Sequence, residues 1–120
     1  MTQVYLVRHG QTAWNAELIF RGRRDIELNE RGHREASAIA GVLRDKGLDA
    51  IYTSPLARAL ETARPLAASL HHGITPVQGL TDINYGDWEG VPYQEIKTRY
   101  ADLLATWEQE PELVRFPQGE

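Results

Sequence analysis

Apolar positions come in short bursts along the chain, and their spacing changes from one burst to the next. Gln3 to Val7 is brief, continuous and rich in β-formers, and it stops at Arg8-His9-Gly10. It predicts a buried strand opening into a loop. Residues 11–27 hold no clean period and read as a long loop with one short helical turn. Ala36, Ile39, Ala40 and Leu43 then follow the i, i+3, i+4, i+7 pattern of an amphipathic helix. Asn29 caps that helix, which runs to about Lys46 before Gly47. Ala50 to Thr53 predicts a second strand. Ser54 is placed to cap the next helix, with Pro55 at its first position and Leu56, Ala59, Leu60 and Ala63 on its apolar face. Pro65 predicts a kink or a new segment. Ile74 to Val77 predicts a third strand, and Leu80 to Gly90 a loop. A third helix from about Pro92 to Glu108 carries Tyr93, Ile96, Tyr100, Leu103 and Trp107, and Pro111 ends it. The tail to Glu120 shows no element.

Strands alternating with helices predict an α/β fold, a three-layer α/β/α arrangement on a mainly parallel sheet with right-handed crossovers. Ligands of such sheets sit beyond the carboxyl ends of the strands. Arg8 to Gly10, Thr53 to Arg58 and Leu80 to Asp82 follow the three predicted strands, so all three loops open onto one edge.

At 120 residues the chain fits a single domain, residues 1–120. Cysteine is absent, which excludes disulfides and thiolate metal sites, and no other metal site is read. No apolar run is long enough to span a membrane, and no secretory signal is visible, so a cytoplasmic location is the default. The net charge of −4 hides an asymmetry. Residues 1–60 hold nine Lys or Arg against seven Asp or Glu, whereas residues 61–120 hold four against ten. Eight of the eleven arginines lie in the first half. The acidic total argues against nucleic-acid binding. The arginines suit phosphate or carboxylate, although most of them also suit a mixed charged surface.

His9 ends the first predicted strand between Arg8 and Gly10. A neutral imidazole attacks phosphorus when its other nitrogen is held by an acceptor. Arg8 presents a fork for phosphoryl oxygens, and Gly10 admits close backbone approach. A histidine after a strand is more often structural, but Arg58 falls in the first turn of the next helix but one, on the same edge. Two arginines, one histidine and a helix N-terminus make an anion site suited to phosphoryl transfer. Arg58 in such a crevice is expected to make few core contacts.

Four ordered motifs carry a family resemblance. Leu-Val-Arg-His-Gly-Gln-Thr-Ala-Trp-Asn (6–15), Arg-Gly-Arg-Arg-Asp-Ile-Glu-Leu-Asn-Glu-Arg-Gly (21–32), Tyr-Thr-Ser-Pro-Leu-Ala-Arg-Ala-Leu-Glu-Thr-Ala (52–63) and Leu-Thr-Asp-Ile-Asn-Tyr-Gly-Asp-Trp-Glu-Gly (80–90) resemble the histidine phosphatase superfamily, the phosphoglycerate-mutase-like proteins. The resemblance implies that His9 accepts the phosphoryl group and that Arg8 and Arg58 clamp it. It implies that Asn15 binds phosphate, with Thr12 near the pocket rim. Asp82 falls where relatives carry a glutamate that protonates the leaving oxygen. Glu89 is the alternative acid, or a solvated loop residue. Gly86, Trp88 and Gly90 shape the loop.

Two departures matter. Relatives often carry Arg and Gln where this chain has Ile19 and Arg21, so Arg21 adds charge at the pocket mouth or is a surface arginine. The family's second catalytic histidine has no counterpart among His33, His71 and His72, which predicts a C-terminally incomplete fold with that histidine beyond Glu120. The resemblance implies that the full-length protein is a cofactor-independent phosphomonoesterase acting on a small phosphorylated substrate, with turnover impaired in these 120 residues alone. Mutase-type transfer and a non-catalytic phosphoryl-binding module are the rivals, and homo-oligomerisation is left open.

Overall fold

The computed structural model of the chain describes residues 1–120. Its elements, in order, are α1 (Ala13–Ala16), α2 (Glu30–Leu43), β1 (Tyr52–Thr53), α3 (Ala57–Leu70), β2 (Thr75–Pro76), α4 (Tyr93–Arg99) and α5 (Ala101–Gln109). β1 and β2 are parallel, with Tyr52 opposite Thr75 and Thr53 opposite Pro76. The α/β class and the parallel pairing agree with the sequence. No helix is long and apolar enough to cross a membrane.

The helix α2 forms as its pattern predicts. Asn29 accepts the Gly32 amide at 2.8 Å as N-cap. Ala36, Ala40 and Leu43 are buried, and Ala40 and Leu43 meet Ile51, Leu66 and Ala67 in a core between α2, α3 and β1. α3 departs from its pattern in two ways. It starts at Ala57, because Asp25 reaches across to accept the Ala57 amide at 2.7 Å and Ser54 accepts that of Leu56 at 3.2 Å. Its buried positions are Arg58, Thr62, Leu66 and Ala67, not the Leu56–Leu60 face, since its first turns face polar loops and only its second half faces the core. Pro65 neither ends nor splits α3. It removes one N–H, while Leu66 and Ala67 beside it are buried.

The third predicted helix is two. Tyr100, at φ −132° and ψ 43°, breaks it into α4 and α5 and lays its ring 5.8 Å from that of Trp88. A second core forms there from Trp88, Ile96, Leu104, Val114 and Phe116, wrapped by Phe20, Tyr85 and Trp107. The tail is therefore structural. Phe116 packs edge-on to Trp88 at 4.9 Å, and Pro117 accepts the Asp87 amide at 2.8 Å.

The predicted first strand is the main correction. Gln3–Val7 forms no strand, and Leu6 is 93% and Val4 75% exposed. A continuous apolar run becomes a buried strand only with ladder partners on its flanks. Here β1 and β2 pair with each other alone. Leu6 and Val7 instead line a cleft of about 550 Å³ against Ala38, Ile39, Val42 and Leu43 of α2. The radius of gyration, 16.3 Å, exceeds the roughly 13–14 Å of a compact domain this long.

The loop after Val7 is fixed by backbone contact. A Cβ on Gly10 would lie 2.5 Å from the Gly32 carbonyl oxygen, and one on Gly32 would lie 2.2 Å from that of Gln11. Gly41, also in α2, has nothing within 4 Å of such a Cβ. Gly32→Ala should therefore cost roughly 1–3 kcal/mol. Gly41→Ala should gain roughly 0.5–1 kcal/mol. Urea denaturation of the two variants checks both signs.

Candidate functional site

The residues of the candidate site come from five segments. The 8–15 loop supplies Arg8, His9, Gln11 and Asn15, which line a cavity of about 190 Å³ together with Glu35 of α2. Arg21 and Gly22 come from the following loop, Arg58 from the first turn of α3, and Asp82 from the loop after β2.

His9 is half-buried, and its Nδ1 lies 2.7 Å from the Gly10 carbonyl oxygen. A carbonyl only accepts, so Nδ1 carries the proton and Nε2 of the neutral ring keeps its lone pair. Burial lowers the His9 pKa below 6.5, and the positive charges of Arg58, Arg21 and Arg8 lower it further, against the opposing Gly10 bond. Its neutral form is thus favoured around neutral pH.

Arg58 is 2% exposed. It donates to the Arg24 carbonyl at 2.7 Å and to that of Gly22 at 2.6 Å, and it faces Asp82 Oδ2 at 3.5 Å. The sequence expectation that it makes few core contacts is corrected: it ties three segments together. Its fork still has donors beyond these three bonds. Burial lowers its pKa, and Asp82 opposes that shift. Asp82 lies against Arg58, and its other oxygen accepts the Ile83 amide at 2.8 Å.

Arg21 is half-buried, and its Nε is buried without a partner. Burial lowers its pKa, Asp82 and Tyr85 raise it, and Arg8 lowers it, so it sits among the site's charges rather than on a plain surface. Ile19 pairs with Pro92 in an isolated bridge.

Thr12 is not at the rim. It is fully buried, accepts the Asn15 amide at 3.2 Å and donates to Asn15 Oδ1 at 2.9 Å. A short side chain that caps α1 this way has its hydroxyl committed inward. Asn15 Oδ1 also accepts the Thr12 amide at 2.9 Å, so its carbonyl braces the loop and its NH₂ is left for the cavity. Glu89 is not solvated. Its side chain is 9% exposed, and it accepts the amides of Arg23 at 2.9 Å and Tyr85 at 3.2 Å, which joins two loops. Trp88 is fully buried and Gly86 has φ +57°, in keeping with loop-shaping roles. His33 stands 3.9 Å from Glu61, His71 terminates α3 and His72 meets the Leu48 carbonyl at 3.1 Å, so none of them lines the cavity.

Sequence reasoning missed Glu35, Gln11 and Thr62. Glu35 accepts the Gln11 amide at 3.0 Å, and Thr62 accepts that of Gly10 at 2.9 Å. The Ala36–Leu43 period places Glu35 just outside the apolar stripe, the one signal that a polar group there faces something other than solvent.

The sequence matches the family described as the histidine phosphatase superfamily (branch 1) over residues 4–120. It is 42% identical over 104 residues to the uncharacterized phosphatase PhoE of Bacillus subtilis, covering 87% of this chain and 54% of that protein. It is 33% identical to phosphoserine phosphatase 1 of Hydrogenobacter thermophilus over 120 residues, covering 100% of this chain and 57% of that protein. Among solved structures, YhfR of Bacillus stearothermophilus superposes with a TM-score of 0.87 at 36% identity, over 94% of this chain and 56% of that one. The chain spans about half the length of the curated relatives it matches.

Titration of the His9 ring by NMR should give a pKa below 6.5, and Arg21→Gln should move it upward. The folded state then binds this proton more weakly than the unfolded chain. His9 therefore subtracts stability as pH falls below 6.5 and leaves it unchanged above.

Proposed function

Because the chain belongs to the histidine phosphatase superfamily, we propose that it serves phosphomonoester hydrolysis through a phosphohistidine on His9. The observation that carries the reading is the His9 ring itself, held by Nδ1 on the Gly10 carbonyl, sharing a cavity with Arg8 and exposed to the charges of Arg58 and Arg21. In the first step the Nε2 lone pair forms a bond to phosphorus and the ester P–O bond breaks. The leaving oxygen takes a proton from the Asp82 carboxyl group and departs as an alcohol. In the second step water adds to phosphorus, the P–N bond breaks, and the water proton returns to Asp82. Free phosphate leaves and the neutral ring is restored. Arg8 and Arg58 neutralise the non-transferring oxygens, and the Asn15 NH₂ donates to one of them. This chemistry calls on no cofactor. The substrate is a small phosphorylated molecule.

The Gly86-Asp87-Trp88-Glu89-Gly90 sequence resembles the acid loop of the family's phosphatases rather than that of its mutases, which supports hydrolysis. Its glutamate, Glu89, is committed to two backbone amides. Asp82 is thereby left as the acid that meets Arg58.

Wild-type protein incubated with a labelled phosphate monoester should form acid-labile phosphoenzyme and release phosphate, and His9→Ala should form none. Label on another residue, an isomerised phosphate ester, or binding without turnover would each reject the reading. Asp82→Asn should slow an alkyl phosphate far more than an aryl phosphate, whose leaving group needs little protonation. Equal losses would remove Asp82 as the acid.

Arg21 adds a separate expectation. A half-buried guanidinium with a buried, unpartnered Nε costs the fold and serves an anionic ligand. Arg21→Gln should raise KM roughly tenfold or more. It should leave the melting temperature equal or higher, as thermal unfolding beside steady-state kinetics would show.

A further inference from the structure

We infer that Thr62 is a positioning residue that sets the His9 ring in register with Arg58, an inference that rests on the phosphoryl transfer proposed above. Thr62 is 6% exposed and lines neither cavity. Its Oγ1 accepts the Gly10 N–H at 2.9 Å and donates its one proton to the Arg58 carbonyl at 2.6 Å. The Gly10 carbonyl holds His9 Nδ1 at 2.7 Å. A single hydroxyl thus joins the backbone of the phosphoryl clamp to the residue that orients the nucleophile, across 52 residues of sequence.

The direction of the chain is fixed by valence. A threonine one turn beyond an acceptor bonds back to it, and that bond sets the hydroxyl proton. The remaining lone pairs are turned to Gly10. β-branching limits χ1 and holds the arrangement. The Gly32 carbonyl closes one side of Gly10, 2.5 Å from where a Cβ would stand, so with the hydroxyl in place Gly10 is held from both. Loss of the hydroxyl leaves a buried N–H unpaired and frees the loop to shift. A displacement near 1 Å costs an oriented reaction roughly a hundredfold.

Thr62→Val keeps the shape and removes the hydroxyl, and Thr62→Ser keeps the hydroxyl. Thr62→Val should lower kcat at least tenfold with KM within twofold, and Thr62→Ser should recover most of the loss. Nitrogen-15 shifts of the His9 ring report the tautomer without any substrate. Wild type and Thr62→Ser should show the proton on Nδ1, and Thr62→Val should show averaging over both nitrogens. Wild-type kcat and His9 shifts in Thr62→Val would overturn the inference. So would a Thr62→Ser protein as impaired as Thr62→Val, since packing of the methyl would then be the cause. Should Thr62→Val not fold, Thr62→Ser and the wild-type Gly10 amide decide: normal Thr62→Ser turnover with slow Gly10 exchange supports the inference, and fast exchange at Gly10 refutes it. A wild-type protein that forms no phosphohistidine would reject the reading of function, while the ring shifts would still test Thr62.

Discussion

A guanidinium buried to 2% exposure is the constraint on which this structure turns. A charge taken out of water must be repaid by close, well-directed partners. Arg58 finds them in the Gly22 and Arg24 carbonyls and in Asp82, none of which is near it in sequence. Its burial therefore folds the 21–25 loop over the start of α3 and draws the loop after β2 toward the same point. It also rotates α3. With Arg58 and Thr62 turned inward, Leu56 and Leu60 stay half-buried, and the helix joins the apolar core along its second half.

Around that charge the loops are joined by polar bonds rather than by packing. Glu35 holds the Gln11 amide, Glu61 holds that of Leu28, Asp25 holds that of Ala57, and Glu89 holds those of Arg23 and Tyr85. Four carboxylates on backbone amides place four loops. The apolar cores lie on either side, one under α2 and α3 and one around Trp88. The tail closes the second: Phe116 enters it, and Glu120 accepts the Asn84 amide at 2.6 Å and pairs with Arg23 at 3.3 Å. Asp82 and Tyr85 are thus steadied from the far end of the chain.

These two modes of construction explain what could be read from the sequence. α2 was legible because Ala36, Ala40 and Leu43 repeat with helical period and Asn29 caps it. Arg8, His9, Arg58 and Asp82 stand out in the sequence because each follows an apolar burst; β1 and β2 lead into the loops before Arg58 and Asp82, whereas Arg8 and His9 are held through the Gly10–Thr62 bond and not by a strand. Thr12 was misplaced because a capping hydroxyl and a ligand-facing one share the same sequence signature. The start of α3 was misread because its first amide is capped from Asp25, 32 residues away. Thr62 and the tail left no trace in periodicity and Glu35 only its place beside the apolar stripe, since a carboxylate or hydroxyl bonded to a distant amide looks like any surface residue. Gln3–Val7 had the composition of a strand, but a strand is a property of its neighbours as much as of itself.

The same electrostatics couples the site to the stability of the chain. The charges of Arg8, Arg21 and Arg58 all act to lower the His9 pKa, and Asp82 acts to raise those of Arg21 and Arg58. Like charges held together oppose folding, and burial of the Arg21 Nε without a partner adds to the cost. On the proposed function, a bound phosphoryl dianion would add attraction to each of the three guanidiniums and offset their mutual repulsion. By binding the folded arrangement it would stabilise that fold in proportion to the logarithm of its concentration over its dissociation constant. The arrangement that makes the free protein less stable would then be the one that favours a doubly charged phosphoryl group, with relief of that repulsion contributing to the preference.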